Sequence, residues 1–219
     1  MKKKLAILAA TTAAAIAAGL SITITSDQPT TMTAAEADQL ALARFNDYQN
    51  GVTAINATIP ISGQNFSLVG RVDWHTHLGF ATLTGAGTEL LQWSPTGLAV
   101  RGTWSGPLPG TLTADGWTVR PYQQSADLDT ALQLILDLAS DRPENAQLLQ
   151  RSGAAVLRRD TVAGTPVTVF AATPHTRYWI AADGTLRRFE AQVDASPTWT
   201  RVDLTPGPAP AIPHIPDVQ

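Results

Sequence analysis

The residues with the most chemical potential are Asp73, His75 and His77. Alternate residues of a strand share a face, so this spacing could present three ligands to a transition metal. A fourth ligand is not evident, and the same residues also suit a polar turn facing water. His175 and His214 stand in proline-containing, loop-like surroundings and read as solvated. Gly102-Thr103-Trp104-Ser105-Gly106 is not a nucleophile elbow, because its serine stands one place too late. No phosphate-binding loop and no zinc-protease helix motif occurs. Asp127, Asp129, Asp137, Asp141 and Glu144 suit helix ends and solvated faces better than a pair of acid–base carboxylates. The chain has no cysteine, which excludes disulfides, thiolate metal sites and a thiol nucleophile. These residues predict a protein that is not an enzyme and needs no metal or cofactor.

What remains is apolar, and its spacing points to a binding surface. Phe66, Leu68, Val72 and Trp74 alternate with polar residues, giving the period of two of a half-buried strand. Leu128, Ala131, Leu132, Ile135 and Leu138 recur at helical spacing, with Asp129, Gln133 and Asp137 on the other side. Asp141-Arg142-Pro143-Glu144 reads as the start of a second helix that carries Leu148 and Leu149 and stops at Gly153. Six tryptophans fall in or beside predicted strands; they fit ordinary packing or the rim of an apolar cavity.

Stepping outward, Thr33-Ala34-Ala35-Glu36 forms a capping box and opens a helix that ends near Gly51. Strands follow, with turns near His75–His77 and at Ser94-Pro95-Thr96-Gly97. After the helix pair come hairpins at Ala163-Gly164 and at Asp183-Gly184. A two-residue turn at Asp183-Gly184 pairs Tyr178 with Phe189 and Ile180 with Arg187. Strands joined by tight turns are antiparallel. The order is one helix, several strands, two helices, several strands. That order predicts an α+β fold, a curved antiparallel sheet holding the helices against one face.

Lysine occurs only at Lys2, Lys3 and Lys4, and without them the net charge falls from −3 to −6. Such an acidic domain is a poor partner for nucleic acid. Leu5 to Thr25 follows the lysines without a charge. As a helix it would span about 31 Å, close to a bilayer's hydrocarbon core. Residues 1–25 are therefore expected to be either a cleaved signal peptide or an uncleaved transmembrane anchor. Both put the remainder outside the cytoplasmic membrane. Residues 26–32 read as a linker, 33–205 as the folded domain and 206–219, with five prolines, as a disordered tail.

Three segments resemble the LolA-like envelope proteins, whose actinobacterial branch includes the lipoproteins LppX and LprG. They are Leu68-Val69-Gly70-Arg71-Val72-Asp73, Arg142–Leu149, and the strand–Asp-Gly–strand run from Tyr178 to Phe189. The resemblance covers roughly residues 33 to 205. It implies a half-open antiparallel barrel with helices on its concave side and a cavity for the acyl chains of a lipid or lipoprotein. Phe66, Leu68, Trp74, Trp93, Leu128, Leu132, Ile135, Leu148, Leu149, Ile180 and Phe189 are then the expected cavity residues. The chain lacks the acylated cysteine of that branch, so membrane retention would depend on Leu5–Thr25. RseB-type stress regulators use the same fold, so a protein-interaction or sensor domain without bound ligand is the alternative.

Overall fold

The computed structural model describes residues 28–124, 126–193 and 197–215. The expected signal peptide or anchor at residues 1–25 lies outside them. Among the described residues no helix is long and apolar enough to cross a membrane.

The chain opens with β1 (Thr30–Thr31) and α1 (Ala34–Asn50). Thr33 and Glu36 form the expected capping box: Glu36 N donates to Thr33 Oγ1 at 3.3 Å, and Thr33 N donates to Glu36 Oε2 at 3.0 Å. Six strands follow: β2 (Val52–Ile61), β3 (Gln64–Asp73), β4 (Leu78–Thr84), β5 (Thr88–Ser94), β6 (Gly97–Arg101) and β7 (Thr118–Arg120). Next come α2 (Asp127–Leu136) and α3 (Ala146–Arg151). Five strands complete the chain: β8 (Ala155–Val162), β9 (Thr165–Thr173), β10 (Thr176–Ala181), β11 (Leu186–Gln192) and β12 (Trp199–Thr205).

All pairings are antiparallel and build one open, curved sheet in the order β1-β8-β9-β10-β11-β12-β2-β3-β4-β5-β6-β7. The halves before and after the helix pair join where β12 pairs with β2, Val202 opposite Ala57. Both edges end in very short strands, which limits the unpaired backbone offered to another chain. The helices lie on the concave face. There α1 packs on β10, β11 and α3, while α2 packs on β2 and β5.

Several expectations change in detail. β2 is among the longest strands and closes the two halves, yet its regular pattern was not read from the sequence. Of its buried positions, Thr53 and Ala57 are small or polar beside Ile55 and Ile59, while Val52 and Ala54 stand on the other face, so the alternation is faint. α3 starts later than expected. Asn145 is its cap, accepting from Gln147 N and Leu148 N, and Asp141–Glu144 is an irregular lead-in. The Asp183-Gly184 connection has one more residue than expected. Gly184 N donates to Ala181 O and Ala181 N donates to Thr185 O, both at 2.9 Å. With Gly184 at φ 81° this is a turn closed by a glycine bulge. Tyr178 still pairs with Phe189, but the extra residue places Ile180 opposite Leu186 instead of Arg187.

The expected linker and tail also contribute to the fold. Thr30 and Thr31 pair with β8, and Met32 is buried. Past β12 the described chain to Ile215 has no regular structure, but Ile212 and Ile215 are buried and Gln92 Nε2 donates to Pro213 O at 2.7 Å. Ile212 packs with Phe80 and Leu90 on the face opposite the helices. The segment is thus laid along the sheet, because its few apolar residues find an apolar strip there.

Candidate functional site

The concave lining is built by alternation. Leu68 and Val72 from β3, Trp93 from β5, Ile180 from β10 and Phe189 from β11 all point toward the helices and join one buried cluster. Trp74 belongs to it from the turn after β3 and donates its indole N–H to Thr53 Oγ1 at 2.9 Å. Trp93 lies across the strand over Gly79. A Cβ at Gly79 would stand 2.1 Å from the indole, so only glycine admits the ring. The Trp93 Nε1 is buried and has no hydrogen-bond partner.

α2 supplies the opposing surface. Leu132 and Ile135 are fully buried, and Leu136 and Leu138 nearly so. Phe66, Leu128 and Leu149 are partly buried against the same cluster. Leu148 is the exception among the expected lining residues. It is 62% exposed, because α3 packs on α1 and turns this side chain to solvent. None of α3's residues is buried.

Polar contacts hold the helices in place. Arg120 on edge strand β7 grips Asp129 in the first turn of α2, Nη1 to Oδ2 at 2.6 Å and Nη2 to Oδ1 at 2.7 Å. Gln123 N also donates to Asp129 Oδ2 at 2.7 Å. Burial raises the Asp129 pKa, but these hydrogen bonds and the Arg120 charge outweigh it and hold the carboxyl below its usual range. Tyr122 donates to Ser94 O at 2.7 Å, and burial pushes its hydroxyl up to about 12. The segment between α2 and α3 hangs from α1. Arg44 reaches Asp137 O and Glu144 Oε1, both at 2.9 Å; Ser140 N donates to Arg44 O and Glu144 N to Ala41 O, both at 3.0 Å. On its other flank α1 clips the last hairpin, with Gln39 Nε2 donating to Ala181 O and Asn46 Nδ2 to Gly184 O. Asp47 beside them is 1% exposed with Oδ2 lacking a partner. Burial raises its pKa well above the usual range, against a lowering hydrogen bond from the Leu186 backbone.

Residues 121–124 and 126–154 therefore form a strap. It leaves one sheet edge at β7, crosses the mouth of the half-barrel and returns at β8, next to the other edge. Two clefts flank the surface between strap and sheet: one of about 490 Å³ reaches the concave residues Trp93 and Leu98 and the strap's Pro121 at the sheet edge, and one of about 470 Å³ lies away from it. The first borders β5–β7 and the tail; the second borders the start of α1 and the β8–β9 hairpin.

The other sequence candidates sit apart. Asp73 Oδ1 accepts from His75 N at 3.0 Å and shapes a turn in which His77 takes φ 51°. His75 is exposed and meets Tyr48 edge-on. Among the described residues no group of three or more His, Asp or Glu could hold a metal. Only Trp74 and Trp93 of the six tryptophans belong to the concave cluster. Trp104 and Trp117 pack on the outer face near Ile212, and Trp179 in a separate outer cluster. Trp199, also outward, lies under the Arg177 guanidinium at 4.4 Å.

No protein-family model and no curated protein matches the chain. Among solved structures it is similar to an outer membrane lipoprotein-sorting protein domain from Vibrio parahaemolyticus. Sequence identity is 10% and the TM-score 0.22, over 78% of this chain and 89% of that one.

Proposed function

We propose that the chain is a non-enzymatic lipid- or lipoprotein-binding carrier domain on the outer side of a bacterial cytoplasmic membrane. One observation carries the reading: the apolar lining of the half-barrel is covered by a strap and not by a second sheet. α2 and the turn after it fill the lining with Leu132, Ile135, Leu136 and Leu138, while α3 buries no residue. An acyl chain could take the place of those side chains if the strap swings aside. The exchange is close to balanced. About ten buried methylenes contribute roughly 8 kcal/mol, against about 6–12 kcal/mol for four buried aliphatic side chains. Strap residues 140–144, past the buried Leu138 and Ala139, are held by polar contacts to α1, which water can replace. The lysine-headed, uncharged leader supports export.

Titration with an acyl-chain fluorophore tests the reading. Saturable binding that Leu132→Trp abolishes, in a variant that remains folded, supports it. Absence of saturable binding to the parent chain rejects it.

A second reading follows from the filled interior. Leu132, Ile135, Leu68 and Phe189 are packed in one cluster, and none of the four lines either of the two clefts. Such a core suits an envelope interaction or stress-sensor domain that holds no ligand.

A further inference from the structure

The outer face of the sheet carries a second apolar surface, on the side opposite the strap. Phe80 of β4 and Leu90 of β5 are fully buried there although no helix or second sheet covers them. Their cover comes from two irregular segments. One is the loop between β6 and β7, which contributes Trp104 and Trp117; the other is the chain after β12, which contributes Ile212.

The second segment has the chemistry of a bound peptide. Pro206, Pro208, Pro210 and Pro213 keep it from forming a helix or joining a sheet. Ile212 and Ile215 each precede a proline, which restricts them to extended backbone. At three residues per turn of an extended proline helix, positions 212 and 215 fall on one edge. Both are buried, at 7% and 8% exposure, while His214 between them is exposed. Gln92 supplies a side-chain donor to the Pro213 carbonyl at 2.7 Å. Aromatic walls with a side-chain N–H aimed at a backbone carbonyl suit extended, proline-rich ligands, which lose little entropy on docking. The groove is also longer than this ligand's described part. Beside Ile215 it continues into the cleft of about 490 Å³, which on this face is lined by Leu78, Ala99 and Val119.

We infer that the outer face is a docking groove for a proline-rich extended segment with apolar residues three apart, and that the chain's own C-terminal segment occupies it in cis. The inference is independent of the lipid-carrier reading, since it concerns the opposite face. A flexible tether gives the tail an effective concentration of about a millimolar, so a partner segment competes only when it binds more tightly or is itself held nearby.

The full chain carrying Ile212→Asp and Ile215→Asp releases its own tail and leaves the groove residues intact. A synthetic peptide of residues 206–219 is the probe, and indole fluorescence from Trp104 and Trp117 is the readout. The expected result is saturable one-to-one binding to the double variant, at least tenfold tighter than to the parent chain. A folded double variant that binds no peptide overturns the inference, as does one that dimerises or binds lipid vesicles in place of the peptide. Should the double variant not fold, a protease site inserted between Thr205 and Pro206 of the otherwise unaltered chain decides. Exchange of the cut tail for labelled peptide, with the domain still folded, supports the groove. A cut tail that never exchanges, or unfolding on cleavage, shows the tail to be part of the core and overturns it.

Discussion

Arg120 and Asp129 form a two-pronged ion pair that ties the first turn of α2 to the edge strand β7, with both bonds at 2.7 Å or less. Asp129 is 1% exposed and Arg120 keeps about a third of its side chain in water. Arg120→Ala should therefore destabilise the domain by about 2–4 kcal/mol, somewhat less than for a fully buried pair. Asp129 has a lowered pKa in the folded state, so the pair's contribution is present above the ordinary carboxylate pKa and is lost as pH falls through the folded one. Denaturant melts at pH 7 and pH 3 check this: the Arg120→Ala penalty should be smaller at the second than at the first.

Asp47 carries the opposite sign. Its folded pKa is raised, so the folded state binds the extra proton and stability falls as pH rises from the unfolded pKa through the folded one. Asp47→Asn keeps the shape and removes the charge. The variant should melt at a higher temperature than the parent at pH 7, and the gain should shrink toward pH 4. An equal or lower melting temperature at pH 7 would contradict the buried placement.

Gly184 stands at φ 81°, and a Cβ there would lie 2.5 Å from Asn46 Nδ2, the atom that donates to Gly184 O. Gly184→Val should cost about 1–3 kcal/mol from backbone strain. Asn46 must also swing away from α1's clip on the hairpin. Thermal unfolding of the variant measures the loss.

Leu132 and Leu148 were expected to line the same surface, and the fold separates them. Leu132→Ala should cost about 2–5 kcal/mol, since the site is fully buried. Leu148→Ala, at an exposed position, should stay within about 0.5 kcal/mol of the parent. Urea melts of the two variants give the contrast directly.

Local signals were legible wherever a few adjacent residues determine the geometry. Thr33 and Glu36 encode their capping box across four positions, and the apolar spacing of Leu128–Ile135 places α2. The Asp183-Gly184 dipeptide marks a turn, but not the bulge that shifts Ile180 onto Leu186. Contacts between distant segments left no such trace. Arg120 meets Asp129 through an irregular loop, and Arg44 meets Glu144 across 100 positions. Neither pairing has a periodicity to reveal it. β2 was faint because threonine and alanine take two of its four inward positions, beside Ile55 and Ile59. The tail looked disordered because proline-rich composition describes a segment alone, and Ile212 is fixed only by Phe80 and Leu90 on the sheet it covers.

The proposed carrier role turns on whether the strap-covered lining holds acyl chains. The most direct measurement is organic extraction of the intact protein, purified from a bacterial envelope, followed by mass spectrometry of the extract. The parent chain should release lipid in a stoichiometric amount, and a folded Leu132→Trp variant should release little. Lipid-free parent protein, together with a Leu132→Trp variant destabilised by about 1–3 kcal/mol as an overpacked core would be, would contradict the carrier account and leave the interaction domain.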